Sequence, residues 1–96
     1  MILGSVIQQP YERLDYDFDY SDFIPNDGLS HIEESPLDVN VRPSGLVVTP
    51  VLIEDHRVKL WISGGTAGVD YTVELTVTTS NGRIKQDELI VSIVDY

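Results

Sequence analysis

The stretch that decides the fold runs from residue 69 to residue 78 and reads VDYTVELTVT. Apolar side chains recur at every second position, at Val69, Tyr71, Val73, Leu75 and Val77. Successive side chains of a β-strand point to opposite faces of the sheet, so this alternation is typical of a strand with one buried face. The stretch therefore predicts a half-buried strand that contributes five side chains to a core.

The same period of two recurs along the chain, and the elements that it predicts are strands. Alternating runs cover roughly residues 14–20, 29–34, 37–41, 46–48 and 58–63, and a final strand carries Leu89, Val91 and Ile93. Five prolines interrupt helical hydrogen bonding, and turn-forming residues separate the runs. About seven short antiparallel strands of this kind predict an all-β sandwich similar to immunoglobulin and fibronectin-III domains.

The turn before the last strand contains Asn81 and Gly82. A two-residue loop at these positions would pair Tyr71 with Ser92, and so would set a core residue opposite a polar one. We therefore predict an odd-length turn with Gly82 in the left-handed conformation, or a bulge early in the last strand. Either arrangement brings Tyr71 beside Val91.

The glycine-rich segment at residues 64–68, GGTAG, is predicted to connect two strands. It lacks the Gly-Lys-Ser/Thr ending and the following helix of a phosphate-binding loop. Tyr71 follows this segment closely, at the place of a tyrosine corner, in which the hydroxyl bonds to backbone a few residues upstream. The alternative is that Tyr71 is an ordinary core residue. The predicted structural positions are Gly64, Gly65, Gly68, Tyr71, Asn81 and Gly82.

The chain has 96 residues, enough for one small domain, and its formal net charge is −10. Residues 1–40 hold nine acids and one base, whereas residues 41–96 hold seven acids and five bases. This charge argues against binding to nucleic-acid phosphates or to an anionic membrane surface. The acidic part is expected to be a solvated face or a surface for a basic partner. Without cysteine the chain has no disulfide, Cys-ligated zinc or thiol nucleophile.

The spacing of Asp15, Asp17 and Asp19 is that of the first ligands of a calcium loop. Tyr20 stands where that loop needs a glycine, and alternate carboxylates on a strand lie about 7 Å apart. The stripe is therefore interpreted as solvated or as facing a basic partner, with a metal site as the alternative. The two histidines, His31 and His56, do not have the spacing of a metal pair, and no nucleophile-elbow motif is present. We expect no catalytic residues, no metal and no cofactor.

Several apolar residues are predicted to face away from the core. Trp61 is out of phase with its inward neighbours, so it is a candidate interface anchor or a cover for the sheet margin. Residues 1–13 are predicted to be an extended N-terminal arm outside a domain of residues 14–96, either disordered or adding a strand to a neighbour's sheet edge. Its first nine residues carry no positive charge and do not resemble a signal peptide. The candidate interface residues are Ile2, Leu3, Val6, Ile7, Trp61, Ile90 and Val94.

Three blocks of sequence carry a resemblance to a known family. Residues 60–68 read LWISGGTAG and run on through YTV at 71–73, residues 78–83 read TTSNGR, and residues 14–23 read LDYDFDYSDF. These blocks resemble a family of small tailed-bacteriophage virion proteins, described as fiber–tail adaptors or neck-region proteins with an immunoglobulin-like fold. Tyr20 and Phe23 stand where that family usually has tryptophan. The resemblance covers roughly residues 14–95.

The resemblance implies a non-enzymatic structural component of a virion, made in the host cytoplasm. Such a protein would bridge tail or neck proteins and fibers through its sheet edges and its N-terminal arm. It would be present as a symmetric ring or in several copies, with no direct contact to nucleic acid or membrane. The alternatives are a capsid decoration protein and a receptor- or glycan-binding module, for which Trp61, Tyr11 and Tyr96 are the aromatic candidates.

Overall fold

The computed structural model describes residues 2–20, 32, 37–54, 56–80 and 82–95, and for residues 2, 3 and 54 it describes only the backbone. Every regular element in these residues is a β-strand. The strands are β1 (Ile2–Gln8), β2 (Arg13–Asp19), β3 (Asp38–Arg42), β4 (Leu46–Glu54), β5 (Arg57–Gly64), β6 (Asp70–Thr78) and β7 (Ile84–Ile93). The part of the chain that the structure describes contains no helix that could span a membrane.

The strands form two sheets, one with the order β1-β7-β6-β3 and one with the order β2-β5-β4. This confirms the predicted all-β sandwich. β1, which lies in the segment predicted to be an arm, runs parallel to β7, whereas the other pairings of the named strands are antiparallel. In constant-type immunoglobulin domains the second, fifth and fourth strands share one sheet, and the third, sixth and seventh share the other. The order found is compatible with that arrangement, and the immunoglobulin-like assignment stays a prediction.

The core lies between the sheets and is built from the inward positions of the central strands. Alternation places every second residue of β5, β6 and β7 in the interior, as the sequence predicted. Tyr71 pairs with Val91 and Val73 with Leu89, so apolar side chains meet across the β6–β7 ladder. The buried members of this set are Val58, Leu60, Ile62, Tyr71, Val73, Leu75, Val77, Leu89, Val91 and Ile93.

The β6–β7 turn has the odd length that the parity argument required. The Thr79 N–H donates a 2.8 Å hydrogen bond to the Arg83 carbonyl, which leaves three residues between them. Gly82 has a φ of +86°, as predicted for a left-handed residue. No bulge interrupts the ladder from Thr78–Ile84 to Asp70–Ser92. Asn81 lies outside the described residues.

The glycine-rich segment connects β5 to β6, and its three glycines all have positive φ: Gly64, Gly65 and Gly68. The Thr66 N–H donates a 2.9 Å hydrogen bond to the hydroxyl of Tyr71, five residues further along. This is the bond that the tyrosine-corner prediction required. It fixes the connection to the start of β6, because Tyr71 itself is buried in the core.

The predicted division into an arm of residues 1–13 and a domain of residues 14–96 needs correction. Residues 2–8 form β1, which pairs with β7 of the same chain and is therefore an edge strand of the sandwich. The side-chain hydrogen bonds of Gln8, the last residue of β1, fix the end of this strand. Its buried amide Nε2 donates to the Ile62 carbonyl (2.8 Å) and the Glu12 carbonyl (3.0 Å), and its Oε1 accepts from the Tyr16 hydroxyl (2.9 Å). These bonds connect one sheet to the other.

The early strands follow the prediction less closely. Most of the strand predicted at 29–34 lies outside the described residues. Buried Ile32 makes an isolated bridge to Thr79. The strand predicted at 46–48 extends to residue 54 as β4, an edge strand that contains Pro50. Proline is tolerated on an edge because no neighbouring strand needs its missing N–H.

Candidate interaction surfaces

The outer face of the three-stranded sheet carries Trp61 near its centre. Trp61 is half-buried and points away from the core, as its phase predicted. The Arg13 guanidinium lies 4.3 Å from the ring centroid, and the Lys59 ammonium lies 5.8 Å from it. These are cation–π distances. Trp61 is thus partly covered by side chains of its own chain, and its role as an interface anchor or as a cover stays a prediction.

The aspartates of β2 face cations on β5. Lys59 Nζ lies 3.0 Å from Asp15 Oδ2 and 4.0 Å from Asp17 Oδ1, and Arg57 lies 4.0 Å from Asp19. The hydrogen bond between Asp15 and Lys59 lowers the pKa of the carboxyl and raises the pKa of the ammonium. The stripe is therefore compensated within the molecule, an arrangement that the sequence analysis did not consider. Sequence reasoning missed it because the β2–β5 register decides which charges meet.

Beside this charged region, β4 exposes an apolar surface that the sequence analysis overlooked. The outward side chains of Val47, Val51 and Ile53 are 60%, 38% and 44% exposed, and we call these three residues the β4 strip. Residues 46–53 contain no charged residue, although charge is a common protection of edge strands. The available signal was the run of apolar residues on both sides of Pro50.

A second apolar surface lies on the outer face of the four-stranded sheet. Ile7 is 61% exposed, and alternation places it on the same face as half-buried Ile90 and Val94. We call these three residues the β7 strip. Ser5 pairs with Ile90 and Ser92 with Ile7, so small hydroxyl residues separate the apolar ones.

The structure brings together only part of the predicted interface set. Ile7, Ile90 and Val94 share one outer face, whereas Trp61 lies on the other sheet. Val6 does not belong to an outward surface, because it faces inward and packs against the core. The side chains of Ile2 and Leu3 lie outside the described set. An interface role for the remaining residues stays a prediction.

Acidic side chains meet on the outer face of the four-stranded sheet. Glu74 and Glu88 are direct cross-strand partners, and like charges in that position repel. Arg42 of β3 lies between them, 3.7 Å from Glu74 and 3.8 Å from Glu88. The described outward charges of this face are Asp38, Asp70, Glu74, Glu88 and Arg42, a net of −3. Those of the other outer face are Arg13, Arg57, Lys59, Asp15, Asp17 and Asp19, a net of zero.

One carboxylate is buried in the sandwich. Asp87 is 1% exposed, and neither of its oxygens makes a hydrogen bond. Lys85 Nζ lies 3.9 Å from Asp87 Oδ1. The hydroxyl of Tyr20, also buried, makes no hydrogen bond either. Burial, together with the charge of Asp87, raises the pKa of Tyr20 far above its ordinary value.

The described residues contain no group of three or more carboxylate and histidine side chains that could hold a metal ion. His56 lies in the β4–β5 turn, where its carbonyl accepts a 2.7 Å hydrogen bond from the Tyr20 N–H. His31 lies outside the described residues. Among the aromatic candidates for sugar binding, Tyr11 is almost fully exposed in the β1–β2 turn, and Tyr96 lies outside the described residues.

The described residues thus form a small β-sandwich whose outer faces carry apolar strips and ion pairs. Comparison with protein families gives a more particular result. Residues 8–92 match the family described as podophage GP4 fiber-tail adaptor protein gp77. The match covers most of the chain, and the chain belongs to this family. It confirms the resemblance noted from the sequence. A search of curated proteins finds no match.

Proposed function

We propose that this protein is a non-enzymatic structural adaptor of a tailed-phage virion, which bridges tail or neck proteins and fibers. The observation that carries the proposal is the presence of two separate apolar strips, one on each outer face of the sandwich. An adaptor that is repeated about a tail needs separate surfaces that neighbouring proteins, including other copies of the adaptor, can cover at once. Exposed apolar patches are typical of protein–protein contacts.

The adaptor would be present in several copies, arranged as a ring about the tail. Family membership supports a position in the virion, with tail and fiber proteins as partners. The net charge of −10 opposes direct contact with packaged nucleic acid. Rigidity suits the role, since the core side chains of β5, β6 and β7 are almost fully buried.

The alternative of a glycan-binding module has less support from Trp61. Sugar rings stack on open aromatic faces, and the Arg13 guanidinium occupies a position 4.3 Å from the Trp61 ring centroid. A capsid decoration protein would use the same kinds of surface on a different partner, so the location in the particle distinguishes it from an adaptor.

The test is a phage in which the gene for this chain is interrupted, grown with and without the wild-type protein supplied in trans. We expect particles grown without it to have assembled heads and tails but no fibers in electron micrographs, and complementation to restore the fibers. Particles that keep their fibers and lose a capsid-surface protein would indicate decoration. Binding of the isolated protein to a glycan array, with fibers unaffected, would favour the receptor module.

A further inference from the structure

We infer that the β4 strip of one copy of this chain packs against the β7 strip of the next copy, in a head-to-tail contact. This inference rests on the proposed function, because it names the surfaces through which a ring of adaptors would be joined. The two strips differ in sequence and lie on opposite outer faces of the sandwich. A contact between two different surfaces is heterologous, and it closes into a ring when its rotation allows.

The exposed apolar side chains indicate these two surfaces. The β4 strip has side chains between 38% and 60% exposed, and the β7 strip is centred on Ile7 at 61%. A head-to-tail contact covers both strips with one repeated interface. An isologous contact between two β4 strips would cover that surface and leave the β7 strip in water.

The charges of the two faces favour the same arrangement. The described outward side chains of the four-stranded sheet have a net charge of −3, and those of the three-stranded sheet sum to zero. Two copies that approach through their four-stranded sheets would therefore repel each other. An acidic face that meets a face whose described charges sum to zero avoids this repulsion.

Strand β4 has two further properties of a contact surface. It is an edge strand, so its outer side chains have no neighbouring strand beyond them in the sheet. Its cross-strand partners on β5 include Trp61 opposite Thr49 and Lys59 opposite Val51. Large half-buried aromatic residues next to exposed apolar ones are common at the centres of protein interfaces. Pro50 limits hydrogen bonding along the free edge, so the side-chain face is the more suitable surface for packing.

The test uses three variants of the full chain that add the same charge at exposed apolar positions. Val47→Glu blocks the β4 strip and Ile7→Glu blocks the β7 strip. Ile84→Glu is the control, because Ile84 is 67% exposed but lies at the hairpin end of β7, outside both strips. Circular dichroism first establishes that each variant folds. Sedimentation velocity over a range of concentrations then measures association.

We expect the wild-type protein and Ile84→Glu to self-associate to the same extent, and each strip variant alone to be monomeric. An equimolar mixture of Val47→Glu and Ile7→Glu is expected to form dimers that grow no further, because one intact contact remains between the two chains. A wild-type protein that stays monomeric at every concentration would overturn the inference. So would an Ile7→Glu variant that dimerises alone, because that result indicates paired β4 strips, and so would a mixture that remains monomeric.

This experiment separates the inference from the proposed function. If the mixture forms dimers but phage particles without the chain keep their fibers, the contact is present and the adaptor role is wrong. If fibers are lost without the chain but the strip variants associate as the wild-type protein does, the adaptor role stands and the contact lies elsewhere.

Discussion

Gly65 gives the sharpest test of how the β5–β6 connection is packed. Its φ is +92°, a conformation that side chains other than glycine adopt at a cost. A Cβ added at this position would lie 2.7 Å from Ile93 Cγ1 and 3.2 Å from Leu46 Cδ1. Both neighbours belong to the buried core, so they have little freedom to move away.

Gly68 is the matched control in the same connection. Its φ is +86°, and a Cβ added there would meet no atom within 4 Å. Alanine at this position therefore carries the cost of the left-handed backbone alone, on the order of 1 kcal/mol. Gly65→Ala adds to that cost the displacement of core side chains, for which overpacking typically costs about 1–3 kcal/mol. We expect total losses of about 1 kcal/mol for Gly68→Ala and about 2–4 kcal/mol for Gly65→Ala.

Urea unfolding followed by tryptophan fluorescence measures both variants, since Trp61 is the single tryptophan of the chain. The free energies of unfolding are compared at equal m-values, so that a change in midpoint reports stability. Equal losses for the two variants, within about 0.5 kcal/mol, would refute the close packing of Gly65 against Ile93. A larger loss for Gly68→Ala would contradict the whole description of the connection.

Three further predictions concern a hydrogen bond, a buried hydroxyl and a strand pairing. Tyr71→Phe removes the hydroxyl that accepts the Thr66 N–H hydrogen bond, and it should lower the free energy of unfolding by about 1 kcal/mol. An unchanged midpoint of urea unfolding would contradict the tyrosine corner. Folding raises the pKa of the Tyr20 hydroxyl, so above about pH 10 the hydroxyl loses its proton more readily in the unfolded chain than in the folded one. The melting temperature should therefore fall as the pH rises above about 10, and it should fall less in Tyr20→Phe. Ile7→Cys with Ser92→Cys should oxidise to a disulfide within one chain on a denaturing gel, whereas a covalent dimer would indicate exchange of β1 between copies.

The buried faces of the central strands could be predicted because the buried positions of a strand are occupied by apolar residues. Alternation from Tyr71 to Val77 required that one side be apolar, and a slip by one residue would have moved that side into water. The same parity predicted the odd length of the β6–β7 turn. These inferences needed only local sequence and one pairing.

The place of β1 could not be predicted in this way. An alternating pattern specifies which side of a strand is buried but not which strand lies beside it, and a parallel partner 80 or more residues away leaves no local signal. The role of Gln8 was hidden for a related reason. A glutamine in an apolar segment looks like a surface residue until Ile62 and Tyr16 are brought to its amide by the packing of two sheets.

The net charge of the chain does not show how its charged side chains are distributed over the two outer faces. From the sequence, Asp15, Asp17 and Asp19 are interpreted as a solvated stripe or as a surface for a basic partner. The β2–β5 register sets them opposite Lys59 and Arg57, and the described side chains on that outer face carry no net charge. A basic partner would have to displace ion pairs that already exist, and exposed pairs of this kind contribute little to stability when they are exchanged. The excess negative charge of the described residues lies instead on the β1-β7-β6-β3 face, where four carboxylates stand against the guanidinium of Arg42. The acidic sheet of one copy would repel the same sheet of another copy, so it is better matched to the three-stranded sheet with its β4 strip.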